Sequence, residues 1–240
     1  MEGMIIQMQI NPLLGVIGGM GPHATADFYE LLHSLQHVNT EQEYLNVLLF
    51  SIASTPDRTS YITGKSKADP LEHLTYAAQT LESAGAALIA MPCITSHVFY
   101  DDIAGSVDIP ILNMLEETAR VVSDLGKKKI YLLATDGTLE SGIFNAAFCR
   151  YGIEVMIPPE DAQAKVMAVI YDIKRGGEAP SKILDAIISD AFNRGTDAVV
   201  LGCTELCGIR NAALSCDNNN DIINTLGILA KASLQWTIKA

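Results

Sequence analysis

The sequence predicts an α/β protein made of two pseudo-symmetric three-layer α/β/α lobes, with mainly parallel sheets and a site between them. Two observations carry that prediction. Short, continuously apolar runs alternate with longer amphipathic stretches, the pattern of strands buried on both faces and joined by helices. The chain also repeats itself. Gly85-Ala-Ala-Leu-Ile-Ala-Met-Pro-Cys93 and Gly195-Thr-Asp-Ala-Val-Val-Leu-Gly-Cys203 each run from a helix end through glycine and a strand to a cysteine, eight residues on, with Thr95 and Thr204 close behind.

Taken in order, Leu13 to Gly18 reads as a buried strand that enters the glycine-rich turn Gly18-Gly19-Met20-Gly21-Pro22. Ala24 to His37 is helical, because Ala26, Tyr29, Leu32 and Leu35 share one face. Asn46 to Ile52 is a strand, Pro70 to Ala84 a helix, Ala86 to Met91 a strand and Ile109 to Asn113 a fourth strand. The second half repeats the theme. Lys129 to Ala134 is a strand, Gly142 to Tyr151 a helix, Ile153 to Ile157 a strand, and helices cover about Glu160 to Lys174 and Ser181 to Arg194. Ala198 to Gly202 is the last strand of the series. The run Gly15 to Gly21 matches Tyr131 to Thr138 in position, which extends the internal duplication. Residues from about 222 to 240 read as a helix that returns to pack on the first lobe. The division is therefore 1–115 plus that segment for one lobe, and 116–221 for the other.

The chain has 240 residues, and its 28 Asp+Glu outnumber 16 Lys+Arg for a formal net charge of −12. That balance argues against nonspecific binding to nucleic acid or an anionic membrane, since both need basic patches. No apolar stretch reaches the roughly 18 residues that cross a bilayer. The start MEGMIIQMQINPLLG lacks a basic region and a small-residue cleavage site, so a cytoplasmic protein is expected. Five cysteines (Cys93, Cys149, Cys203, Cys207, Cys216) are too few and too scattered for a disulfide framework, and free thiols in a reducing compartment follow.

Each half places a cysteine at the carboxyl end of a buried strand, the edge where open α/β sheets bind ligands beside helix N-termini. A helix N-terminus lowers a thiol's pKa toward neutrality. One cysteine in such a place reads as a small buried hydrophobe; two in matched positions read as chemistry. Opposed thiols can flank one small ligand. One removes a weakly acidic α-proton as thiolate, and the other delivers a proton to the opposite face. The carbanion between them needs backbone N–H groups and hydroxyls in a dry site. Thr95, Thr204 and the glycine-rich turn are candidates for that role.

Four segments together resemble a known family: Gly18-Gly19-Met20-Gly21-Pro22, Pro56-Asp57-Arg58-Thr59, Met91-Pro92-Cys93-x-Thr95-Ser96-His97 and Gly202-Cys203-Thr204-Glu205. Their order and spacing are similar to those of the cofactor-independent aspartate/glutamate racemases, closest to the aspartate branch. The resemblance implies racemisation of an acidic amino acid, aspartate first and glutamate second, with no cofactor, no metal, and Cys93 and Cys203 as paired bases. It implies that Arg58 binds the side-chain carboxylate of the substrate, joined by a family lysine whose nearest match is Lys165. Met20, Gly21, Thr95, Thr135 and Thr204 complete the expected substrate contacts. Relatives are often dimers, so a homodimer is compatible.

One departure stands out. The family usually has Asn directly after the first catalytic cysteine, and this chain has Ile94. Losing a hydrogen bond to a charged head group costs roughly 1.5–3 kcal/mol, or about one to two decades of rate. Ile94 therefore keeps open a ligand-binding or sensor protein with weak or no turnover, or an isomerase or decarboxylase of the same superfamily acting on a small dicarboxylic acid. A metal reading rests on Cys93-x3-His97 with Cys203-x3-Cys207, a Cys3His set with tolerable spacing but placed behind strands. His97 is expected to be structural, with tuning of Cys93 as its alternative. Glu205 is expected to cap a helix, with orientation of a catalytic group as its alternative. Glu116 and Glu117 read as helix-surface charges. The turn GGMGPHAT has neither the Lys-Ser/Thr ending of a P-loop nor the G-x-G-x-x-G spacing, so no nucleotide is expected.

Overall fold

A computed structural model describes residues 12–177, 181–209 and 221–239. Residues 1–11 and Cys216, on which expectations were placed above, lie outside the described residues. The first sheet contains β1 (Leu13–Gly18), β2 (Asn46–Ser51) and β3 (Leu88–Ala90) in the order β2-β1-β3. The second contains β4 (Lys129–Leu133), β5 (Glu154–Met156), β6 (Ala198–Leu201) and β7 (Ile222–Asn224) in the order β5-β4-β6-β7. All pairings are parallel. In both sheets the first strand is central, the second flanks one side and the third the other, so the two lobes share one winding. Central strands read as apolar runs because helices cover both faces; Leu14, Val16, Ile130, Leu133, Val199 and Val200 are buried.

Helices α1 (Pro22–Ser34), α2 (Arg58–Ile62), α3 (Leu71–Ser83) and α4 (Tyr100–Ala104) belong to the first half, and α5 (Met114–Asp124) carries the chain across. The second half adds α6 (Asp136–Ser141), α7 (Ile143–Cys149), α8 (Glu160–Lys174), α9 (Ser181–Asn193) and α10 (Thr204–Ile209), and α11 (Thr225–Lys239) follows β7. α11 packs against α1 and α5. No described helix is long and apolar enough to cross a membrane.

Three expectations fail. On α1 the buried face is Ala24, Thr25, Phe28, Leu31 and Leu32, whereas Ala26 and Tyr29 of the expected face are exposed. Ile109 to Asn113 does not form a strand; it makes a single parallel bridge, Ile111 to Ile89. Pro110 has no N–H, so the segment offers its carbonyl to Ile89 N–H at 2.9 Å and takes back one bond at Leu112. Ile222 to Asn224, expected to begin the last helix, instead forms the edge strand β7, in register with Val199 to Leu201.

The glycine-rich turn owes its shape to chain crowding. Gly19 has φ +92°, and a Cβ there would lie 2.5 Å from the Ile52 backbone. Thr25 stitches the turn to α1 by accepting Gly19 N–H and donating to the Gly21 carbonyl, both at 2.9 Å. Pro22 opens the helix at a position where a missing N–H costs nothing.

Candidate active site

Cys93 leaves β3 and Cys203 leaves β6, the corresponding strands of the two sheets, and each is 5% exposed. Cys93 packs with Met20, Met91 and Phe99 on the first lobe, whereas Cys203 belongs to the larger core with Leu206 and Cys207. Their surroundings are unequal. The Cys203 thiol donates to Glu205 Oε2 at 3.0 Å. Burial, and next the Glu205 carboxylate, push that thiol well above its ordinary pKa, against the pull of Lys174. The expectation that a helix N-terminus lowers this pKa is thus corrected at Cys203. The Glu205 N–H does act in that direction, but desolvation outweighs one backbone dipole.

Arg58 starts α2, is buried at 6% exposure and has no ion pair among the described residues. Its guanidinium donates to the carbonyls of Thr55, Pro56 and Met20 at 3.0 to 3.3 Å, while Nε has no partner. Asp57 caps the same helix through Ser60 N–H at 2.7 Å and receives the Tyr171 hydroxyl at 3.2 Å from the other lobe.

The structure places Lys165 on the exposed face of α8, where it lines an outer groove with Lys182 and Ile183. A cation whose charge acts on both cysteines is Lys174, the last residue of the same helix. Burial alone would lower its pKa, but attraction to Glu205, then Cys203 and Cys93, outweighs burial and the repulsion of Arg58, leaving the ammonium above its usual value. One side chain thus senses both thiols and the buried guanidinium. Nine residues separate the two lysines, which on a helix turns the side chain by about 180°. Proximity to the family spacing favoured Lys165; the lobe-facing side of α8, marked by Tyr171 one turn earlier, carries Lys174.

The hydroxyls expected to face substrate are engaged with one another. Thr95 Oγ1 lies 3.1 Å from Thr135 Oγ1 and 2.9 Å from Thr138 Oγ1, which are 3.0 Å apart, so a buried trio joins the lobes. Thr138 was not singled out in the sequence. Met20 gives its carbonyl to Arg58 and accepts Ser96 Oγ on sulfur at 3.2 Å. A Cβ on Gly21 would sit 3.3 Å from Glu205 Oε1, which fixes how closely the turn approaches α10. The Thr204 hydroxyl donates to Glu205 Oε2 at 3.4 Å.

His97 is structural. Met114 N–H donates to Nε2 at 3.1 Å, so Nδ1 carries the proton and donates to the Cys93 carbonyl at 2.9 Å. Burial holds the ring neutral, with its pKa lowered to about 4. Cys207 Sγ turns to the Leu201 carbonyl and Thr225, and His97 is committed to backbone, so these four side chains do not converge on a metal. Ile94 is buried at 2% exposure in the core that spans the lobes. Glu116 pairs with Arg150 and Tyr151, and Glu117 with Arg120, as surface charges do.

Matched thiols at corresponding strand ends, with a lysine whose charge acts on both and on a buried guanidinium, make up the candidate site of a two-lobed α/β protein. A sequence profile of the family Asp/Glu/hydantoin racemase matches residues 17–232. The chain is 27% identical over 234 residues to the broad specificity amino-acid racemase RacX of Bacillus subtilis, covering 92% of this chain and 96% of that protein. Its fold matches Picrophilus torridus aspartate racemase with a TM-score of 0.80 and 29% identity, covering 94% of each chain. Glutamate racemase from Francisella tularensis shares the fold, with a TM-score of 0.69 at 17% identity over 95% of this chain and 82% of that one. The chain belongs to the Asp/Glu/hydantoin racemase family.

Proposed function

We propose that the protein racemises an acidic amino acid, aspartate in the first place, by proton transfer between Cys93, the substrate α-carbon and Cys203. The observation that carries this reading is the matched placement of Cys93 and Cys203, each 5% exposed, just past β3 and β6, the corresponding strands of the two sheets; the attraction of Lys174 to both supports it. Arg58 and Lys174 would hold the distal carboxylate, Arg58 through the Nε–H that has no protein partner. Cys203, held as thiol by burial and Glu205, would start as proton donor. The Cys93 thiolate then takes the α-proton from one face while Cys203 protonates the other, leaving Cys93 as thiol and Cys203 as thiolate. Exchange with solvent resets the pair. The reading calls for no cofactor, and two free thiols suit a reducing, cytoplasmic compartment.

Incubation of L-aspartate in deuterated water should yield D-aspartate carrying deuterium at the α-carbon. Cys93→Ala and Cys203→Ala should each lower racemisation by about 10²–10⁴-fold, since each removes one face of the transfer. Absence of α-exchange with any acidic amino acid at high enzyme concentration overturns the reading.

A further inference from the structure

Among the described residues Glu205 is the buried carboxylate, at 4% exposure. Its two oxygens are used unequally. Oε2 accepts the Cys203 thiol and the Thr204 hydroxyl, at 3.0 and 3.4 Å. Oε1 is sealed from water and has no hydrogen-bond partner. It lies against Gly21 in the turn whose Met20 carbonyl holds Arg58. A buried carboxylate oxygen with no donor is costly, and its recurrence in a packed site points to a donor that arrives with a ligand. Lys174 attracts Glu205 across the site, yet makes no hydrogen bond to Oε1. Asp57, the other carboxylate beside these cations, is already occupied by Ser60 and Tyr171.

We propose that Glu205 Oε1 receives the α-ammonium group of the substrate, so that Glu205 selects amino acids over the matching dicarboxylic and hydroxydicarboxylic acids. The proposal rests on the acidic-substrate reading above and deepens it. A dicarboxylic amino acid carries two carboxylates and one ammonium. Arg58 and Lys174 offer two cations and Glu205 one carboxylate oxygen without a donor, the inverse set, with the Lys174 charge acted on by both of the others. Succinate and malate bring the two negative charges without the positive one, and would leave Oε1 unpaired or facing another oxygen. Gly21 contributes by leaving room beside Oε1 that a larger side chain would fill.

The test is equilibrium binding of L-aspartate, succinate and L-malate to the full chain, wild type and Glu205→Gln. Wild type should bind L-aspartate at least about tenfold more tightly than either amine-free probe, a comparison that needs no variant. Glu205→Gln should lose about ten- to a hundredfold in affinity for L-aspartate, the range of one charge-assisted hydrogen bond, and lose nothing for succinate. Equal losses for L-aspartate and succinate would show that Glu205 acts only through Cys203 or the fold, and overturn the proposal. So would a wild type that binds succinate as tightly as L-aspartate. Binding of none of the three probes removes the acidic-substrate reading, and this assignment with it.

Discussion

Lys165 and Lys174 share one helix and face opposite ways, and the contrast makes a sharp test of the site. Replacing Lys174 by Met removes a cation in electrostatic reach of both cysteines. The KM for L-aspartate should rise about ten- to a hundredfold, with a smaller effect on an uncharged amino acid, as expected for a lost charge-assisted contact. Lys165→Met alters an exposed side chain and should leave both parameters within about twofold; equal effects of the two changes would remove Lys174 from the site. His97 gives a second prediction. Its folded-state pKa of about 4 lies below the ordinary 6.5, so between these values the unfolded chain binds a proton that the native state does not. Stability contributed by neutral His97 is therefore complete above pH 6.5 and falls as pH drops toward 4. From pH 7 to 5 the loss is about 2 kcal/mol from this residue alone. Urea denaturation of wild type and His97→Gln at both values checks it, since the variant should show a flatter pH dependence by that amount. The matched placement of the two candidate cysteines was legible because both follow glycine and a strand at equal spacing. The contact of Glu205 with Cys203 was open, with capping read first and orientation of a catalytic group second, because a residue two positions on carries no sign of where its side chain turns in three dimensions.

Helix α6 meets α2 across the lobes at Gly137, where a Cβ would lie 2.8 Å from the Thr59 Cα. The obstacle is backbone and cannot swing aside. Gly137→Ala should therefore push α6 away from Arg58 and Thr59, at a cost of about 1–3 kcal/mol in stability, and lower kcat/KM as well because Arg58 begins α2. A variant with wild-type melting temperature and activity would show that the two helices have slack. This junction was hidden in the sequence: α2 and α6 are one to two turns long, too short for a periodic signal, and their caps, Asp57 and Thr135, sit in stretches that read as loop. The longer elements were plain. β1 spans the expected residues, β2, β4 and β6 each end one residue early, and α8 coincides with its expected span. They were visible because burial on both faces or on one helical stripe writes itself into composition. β7 escaped because three residues of an edge strand, leading straight into α11, carry the same apolar pattern as a helix start.

At the scale of the molecule, the larger interior is shared by the two lobes, and the first lobe keeps a second, smaller cluster of its own around Leu74, Leu81, Ile89 and Cys93. One core runs from Leu14 and Leu88 of the first sheet through Met114 and Ala119 of α5 into Ile130 and Val200 of the second, and takes in Leu226, Leu229 and Ala230 of α11. Polar ties cross the same junction: the Thr95, Thr135 and Thr138 hydroxyls, and Tyr171 to Asp57. In the proposed site each lobe supplies one thiol and one cation, so its assembly depends on the junction staying shut. Chains of this length often unfold in parts, whereas a shared core predicts a single cooperative step. The lone tryptophan is a built-in reporter, since Trp236 lies on α11 and packs against that core. Trp236 fluorescence should follow the junction while far-UV circular dichroism follows both sheets and all helices. In urea the two curves should superimpose, with one midpoint and one slope. A dichroism curve with two steps, only one of them matched by fluorescence, would mean that the lobes are independent folding units and that their apposition around the cysteines is loose.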